Sequence, residues 1–468
     1  MNNLKASATA VAAGLLVVLA GCIDQATSSS PVAPAASLLE ASSSIVITPD
    51  SVRKLAASRG VFAMPVPPHV RPALVHLGQM LAFDPILSGN RNIACMTCHL
   101  ASLGTGDGRS LSIGEGGTDF GPSRTHARGV FIPRNAPPLF NLGAMRHLFW
   151  DGRVEVDDRG RMHTPAGSAV TPAMEGAFEF GPVSAIGMFP VTNRAEMRGR
   201  LGKEVATNEL APIGDEDFAG IWSAIMRRLG AIPEYRTMFA AAYPGERFED
   251  MTFAHASNAI GGFLVDQLTF ANSPWDRFLA GDGRALTQRQ LDGAGTFLTL
   301  KCSLCHVGST FSDEKFHDVA VAQIGPGEGD GGSARDDFGR MRVTGATADR
   351  YLFRTTPLRN VELTGPYGHD GAIASLRAFV DHYSESDKKL LAFDPTSLEP
   401  SLRLTMLPTT LDILAQRDTI IRGVVLTPAL VDKLMDYMLA LTDPASRNLS
   451  HIVPPQVPSK LPMAPSLP

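Results

Sequence analysis

No run of five or more Lys or Arg occurs in the 468-residue chain, and its formal net charge is only −5. The electrostatic footprint of a nucleic-acid binder is missing, so that class is excluded. No alternating apolar–polar pattern of any length is found either, which argues against a fold built on strands. The apolar run Ala8–Ala20 is too short to span a membrane comfortably. Cysteine is scarce: the five are Cys22, Cys95, Cys98, Cys302 and Cys305. Once their positions are explained, none is left for a disulfide framework.

What remains is an ordinary globular composition, 44% hydrophobic and 19% charged, in a chain long enough for two or three domains. Its start, Lys5 followed by Ala8–Ala20 and then Leu19-Ala-Gly-Cys22, has the pattern of a bacterial lipoprotein signal. The plainer alternative is a secretory signal with a chance cysteine. The Ser/Pro/Ala stretch Ser28–Ser44 that follows is the tether an anchored domain needs, so Cys22 is expected to be lipidated and the protein exported to the periplasm. Ile23 in place of aspartate favours the outer membrane.

The other four cysteines form two C-x-x-C-H motifs, Cys95-Met-Thr-Cys98-His99 and Cys302-Ser-Leu-Cys305-His306. Such a motif serves a thioredoxin-like redox pair, half of a zinc site, or covalent haem. A redox pair wants a strand before it and a helix after it, whereas helix leading into loop precedes both motifs here. A four-cysteine zinc site would join pairs about two hundred residues apart and leave both histidines unexplained. Haem attachment uses every residue: the thiols add to the two vinyl groups and the histidine meets the iron. Two covalently bound haem c groups are expected, with His99 and His306 as proximal ligands.

Leu74, Leu77 and Leu81 have helical spacing in Arg71–Phe83, before Asp84-Pro85 breaks the pattern ahead of the first motif. Thr287-Gln-Arg-Gln290 is a capping box opening a helix with Leu291, Ala294 and Leu298 on one face, ahead of the second motif. Thr427 caps a last helix, with Pro428 in its first turn. With 44 Gly and 34 Pro, long loops such as Gly104–Gly121 and Gly325–Gly332 are expected to wrap the haems. The expected fold is mainly α, with two c-type cytochrome domains. Its plan is a signal peptide over 1–21, a flexible tether over 22–60, haem domains over 61–275 and 276–443, and an extended Pro-rich tail over 444–468.

Further strings carry a resemblance. They are Leu77–Gly89 "LGQMLAFDPILSG", Arg134-Asn-Ala-Pro137, Phe149-Trp-Asp-Gly-Arg153, Pro190–Met197 "PVTNRAEM", Pro274–Leu279 "PWDRFL", and Thr356–Asn360 leading to Pro366–Gly371 "PYGHDG". In this order, with the two haem motifs among them, the chain resembles the bacterial di-haem cytochrome c peroxidase and MauG family from about residue 60 to 440. The resemblance implies that hydrogen peroxide meets the N-terminal haem and that the C-terminal haem relays or stores oxidising equivalents. It implies acid–base work for Glu196, which without that context reads as a surface carboxylate. It gives Trp150, otherwise a core indole, the place between the haems. Asn135, Thr364 and Pro366 fall where members hold calcium.

The chain also departs from the peroxidases. Counting on from His369 to their methionine ligand arrives at Tyr383, and MauG-type members have tyrosine there. An anionic phenolate lowers the potential of a haem where a thioether raises it. His382, Met435 and Met438 are rival ligands, and a packed aromatic is the plain reading of Tyr383. Where some members place a histidine that blocks the resting first haem, this chain has Glu115, and Ile186 replaces a glutamine. About thirty extra residues, Val154–Ala185, separate two of the strings. The implied function is a di-haem peroxidase drawing electrons from a small c-type cytochrome or another redox protein. The alternatives are MauG-like oxidation of a protein substrate and a non-enzymatic electron-transfer cytochrome.

Overall fold

A helix pair builds each of the two large hydrophobic cores. The computed structural model describes residues 47–128, 130–200 and 207–464. The signal peptide, Cys22 and most of the expected tether lie outside these residues. In the first core the Pro72–Phe83 helix crosses the Phe253–Gln267 helix, and Leu74, Leu77, Ala259 and Phe263 are fully buried at the crossing. A Cβ at Gly78 would overlap the carbonyl of Ala259, so the backbones approach as closely as glycine permits. The second core repeats the device. The Gln288–Thr299 and Pro428–Ala440 helices cross with Gly293 against the carbonyl of Lys433, over Phe297, Trp275 and Tyr437.

Local chemistry sets these helices where the sequence places them. Thr287 and Gln290 exchange both capping-box hydrogen bonds, at 2.9 and 3.3 Å, and the Thr427 hydroxyl accepts from the Leu430 N–H at 3.3 Å. Strands among the described residues are two or three residues long. The largest sheet pairs His147–Leu148 with Val154–Val156 and that with Met162–His163, both antiparallel, so two of its three strands come from the extra segment Val154–Ala185. The end of that segment enters the first core: a 3₁₀ stretch, Gly181–Met188, buries Val183 and Ala185 there.

Two expectations from composition are corrected. Residues 47–60 of the supposed tether are folded. The Pro49–Ser58 helix, capped by Thr48, buries Val52 and Ala56 in the second core, and Arg53 Nε donates to the Phe278 carbonyl at 2.9 Å. The described part of the supposed extended tail is packed as well. Leu449, Ile452 and Val457 are buried in the first core, and Ser459 Oγ donates to Asp84 Oδ1 at 2.5 Å. Apolar side chains among the prolines outweigh the prolines' extended preference. Among the described residues no helix is long and apolar enough to cross a membrane.

Candidate active site: two cavities and a shared wall

Each C-x-x-C-H motif sits on a single turn of helix, which brings two thiols three residues apart onto one face. The first turn is Cys95–Cys98, held by the Thr97 hydroxyl accepting from the Ala94 N–H at 3.0 Å. The second begins in the 3₁₀ turn Lys301–Leu304. The following histidine then hangs from the turn: His99 N–H donates to Cys95 O at 3.1 Å, and His306 N–H to Cys302 O at 3.0 Å.

The two imidazoles are tied identically. His99 Nδ1 lies 2.9 Å from the carbonyl of Thr105, and His306 Nδ1 lies 2.9 Å from the carbonyl of Phe311. A carbonyl only accepts, so Nδ1 carries the proton and Nε2 keeps its lone pair for a metal. Burial lowers the proton affinity of both rings, which favours the neutral ligand form.

Each motif opens on its own cavity. One, of about 150 Å³, is lined by Cys95, Cys98, His99, Glu196 and Ile186. The other, 390 Å³, is lined by Cys302, Cys305, His306, Tyr383 and His369. The walls are mainly apolar, as a porphyrin requires. Two separate cavities exclude a single four-cysteine zinc site. All four cysteines are free, and burial pushes the thiols of Cys95 and Cys302 up to about 11 and that of Cys98 higher still. Thiols held neutral in an apolar wall suit thioether formation and do not suit thiolate chemistry. The residues present therefore fit two covalent haems.

Glu196 projects into the smaller cavity from a π-type turn, Arg194–Arg198, whose first N–H groups are capped by Asn193 Oδ1 at 2.8 and 3.1 Å. Burial raises its carboxyl from 4.5 to about 7; Glu328 adds to the rise, while Arg153 and Arg134 oppose it. A carboxyl that titrates near neutrality in a cavity is equipped to take and give a proton. Glu115 is not among the residues lining this cavity; its Oε1 accepts from the side-chain amides of Asn90 at 2.5 Å and Asn92 at 3.0 Å.

Trp150 stands in the wall common to both cavities and donates from Nε1 to Asn135 O at 2.8 Å. Tyr383 faces the larger cavity, its hydroxyl proton held more tightly than usual, chiefly because the ring is buried. Of its rivals, Met438 shares that wall, Met435 is not part of it, and His382 Nε2 is engaged by the carbonyl of Val319 at 2.8 Å. Asn135, Thr364 and Pro366 all line the larger cavity. Asn135 Nδ2 donates to the carbonyls of Arg109 and Ser110 at 2.9 and 3.2 Å, which directs its Oδ1 elsewhere.

A family model for di-haem cytochrome c peroxidase matches residues 72–284. A cytochrome c551 peroxidase from Pseudomonas aeruginosa is 30% identical over 309 residues, covering 64% of this chain and 68% of that protein. The chain belongs to the di-haem cytochrome c peroxidase family. The methylamine utilization protein MauG of Methylorubrum extorquens is also similar, 28% identical over 380 residues, 79% of this chain and 84% of that protein. Among solved structures, a MauG-like protein associated with microbial copper homeostasis shares the fold at a TM-score of 0.57. It is 24% identical, covering 84% of this chain and 97% of that one. The diheme peroxidase BthA of Burkholderia thailandensis does so at 0.55 with 19% identity, over 81% and 88% of the two chains. Family membership brings two haem c groups and peroxidase chemistry to this chain.

Three polar residues at these cavities escape a reading by motif. Glu328 reaches the smaller cavity from the Gly325–Gly332 loop, where the only sequence signal is glycine. His317 lines the larger cavity between Asp313 and Asp418, with ring nitrogens 3.3 and 2.5 Å from their carboxylates. Hydrogen bonds, first to Asp313 and then to Cys305 and Asp418, hold it well above the usual imidazole range. Arg354 lines both cavities.

Proposed function

We propose that this protein reduces hydrogen peroxide in the cavity of His99 and Glu196, and that oxidising equivalents are shared across Trp150 with the cavity of His306 and Tyr383. The observation that carries this reading is the placement of Trp150 in the wall of both cavities, with Glu196 in one and Tyr383 in the other. A haem held by Cys95, Cys98 and His99 would supply redox-active iron for peroxide. Glu196 takes a proton from one peroxide oxygen and delivers it to the other, so that two electrons and two further protons give two waters. Glu115, held by Asn90 and Asn92, leaves the approach open, which supports activity without prior reduction and disfavours a mere electron carrier.

Tyr383, in the wall of the larger cavity, would hold the second haem together with His306, and this favours a second reading. A phenolate-ligated, low-potential haem resists reduction by an ordinary cytochrome and suits MauG-like oxidation of residues in a partner protein. Otherwise the electrons come from a small c-type cytochrome or another redox protein. A calcium ion at Asn135, Thr364 and Pro366 belongs to the proposal, since the anchored Asn135 amide leaves a hard oxygen donor. So does export to the periplasm on a lipid attached to Cys22.

The test is a potentiometric titration of the holoprotein, followed by peroxide consumption in the all-ferric state. The expected result is that both haems reduce only at low potential and that peroxide is consumed without prereduction. One haem at much higher potential would give the second iron a methionine and the enzyme a cytochrome donor. Low-spin six-coordinate iron at both haems, with no peroxide consumed, would sink the enzymatic reading.

A further inference from the structure

Seven arginines are buried among the described residues, and six have their charge or their hydrogen bonds accounted for. Arg109, Arg134, Arg198, Arg228 and Arg359 each pair with a carboxylate, from Glu399, Asp151 and Asp337, Asp215, Glu209 and Asp276 respectively. Arg124 spends Nε, Nη1 and Nη2 on the carbonyls of Ile113, Asp119 and Gly114. Arg354 is different. Its Nε donates to Phe149 O and its Nη1 to Thr355 O, both at 3.2 Å, and Nη2 has no acceptor among the described residues.

Among the described residues no carboxylate forms an ion pair with Arg354. The acidic group that acts on it is Glu314, whose Oε2 already accepts from the backbone N–H groups of Arg146 and His147. Burial accordingly pushes its proton affinity down to about 10. A buried, unpaired guanidinium is strongly destabilising, so its location calls for an anion.

That location is specific. Asn135, Pro138, Trp150 and Arg354 are the residues common to both cavity walls, and Arg354 is the charged one. It is fixed there by its backbone: the Arg354 N–H donates to Trp150 O at 2.9 Å, and Phe353–Arg354 pairs with Phe316–His317 in a short antiparallel sheet. Each haem c brings two propionates that need partners in or beside its cavity, and Nη2 of Arg354, a residue of both walls, carries two N–H groups without an acceptor among the described residues.

We propose that Arg354 binds the cofactors by pairing with a propionate from each haem, a single guanidinium bridging the two groups beside Trp150. The inference rests on each cavity holding one haem. A shared positive charge favours the reduced form of both irons, so its removal lowers both midpoint potentials together.

The test compares R354Q and R354K holoproteins with the native one, after intact mass has shown two haems per chain in each. In R354Q both midpoint potentials are expected to shift downward, and in R354K to stay near native. A shift at one haem alone, or at neither, overturns the bridge. Resonance Raman bands of the propionates supply a second measurement that a merely structural role would not move. The shorter reach of R354K is expected to move the bands of both haems, and unchanged bands in that variant overturn the pairing even if R354Q does not accumulate. Loss of covalent haem from the native protein would instead remove the di-haem reading itself.

Discussion

In the proposed acid–base role, a carboxyl raised to about 7 would make the work of Glu196 pH-dependent near neutrality. It must be ionised to accept a proton from peroxide, so the rate is expected to rise with pH through a limb near 7. E196Q is expected to abolish that limb and lower turnover by about 10²- to 10⁴-fold, read from the pH profile of peroxide consumption. Because Glu328 adds to the rise, E328Q is expected to move the limb of the native profile to lower pH; an unmoved limb would remove Glu328 from the electrostatics of the site. The sign for stability is opposite to that for activity. A carboxyl whose affinity is raised on folding stabilises the fold below its ordinary 4.5, and that contribution is lost as pH climbs through about 7. The C-x-x-C-H cysteines and histidines that line the cavities were legible because adjacent residues spell the motif, and the family strings pointed to Glu196 and Trp150, which line them too. Arg354 and Glu328 were not. Their role comes from a cavity that residues over a hundred positions apart create, and no local pattern records it.

Capped helices were the most legible elements. Thr287 with Gln290, and Thr427 with Pro428, act on their own backbone within three residues, so sequence alone places those starts. The close crossings of those helices were not legible, since a glycine in a helix reads only as a weakness until its partner is known. G293A tests the crossing. The added methyl meets the carbonyl of Lys433, so the helices must separate, at a cost of about 1–3 kcal/mol. The expected outcome is a lower denaturation midpoint of the holoprotein with unchanged slope, and a broadened spectrum at the second haem. A midpoint equal to native would mean that the crossing yields without strain.

At the scale of the whole molecule, the ends of the described chain each join the core that lies farther away in sequence. Pro49–Ser58 packs on the second core, while Leu449, Ile452 and Val457 pack on the first. A linear partition at residues 61, 275 and 443 cannot express that exchange, and a Pro-rich composition hides it. The exchange matters to the proposed function, because Trp150 and Arg354 line both cavities only while the two cores keep a fixed separation. The C-terminal segment ties them by continuing from the Pro428–Ala440 helix to the Asp84 region, where Gln79 Nε2 also donates to Ile452 O at 2.8 Å. Truncation after Asn448 removes three buried apolar side chains, each worth about 1.5–3 kcal/mol when fully buried, so a loss of roughly 5 kcal/mol from the first core is expected. Denaturant titration should then show the first haem's spectrum changing before the second's, where the full chain changes in one step. If the truncated protein keeps a single transition at the native midpoint, the segment is an ornament on the surface and the rigid wall around Trp150 owes nothing to it.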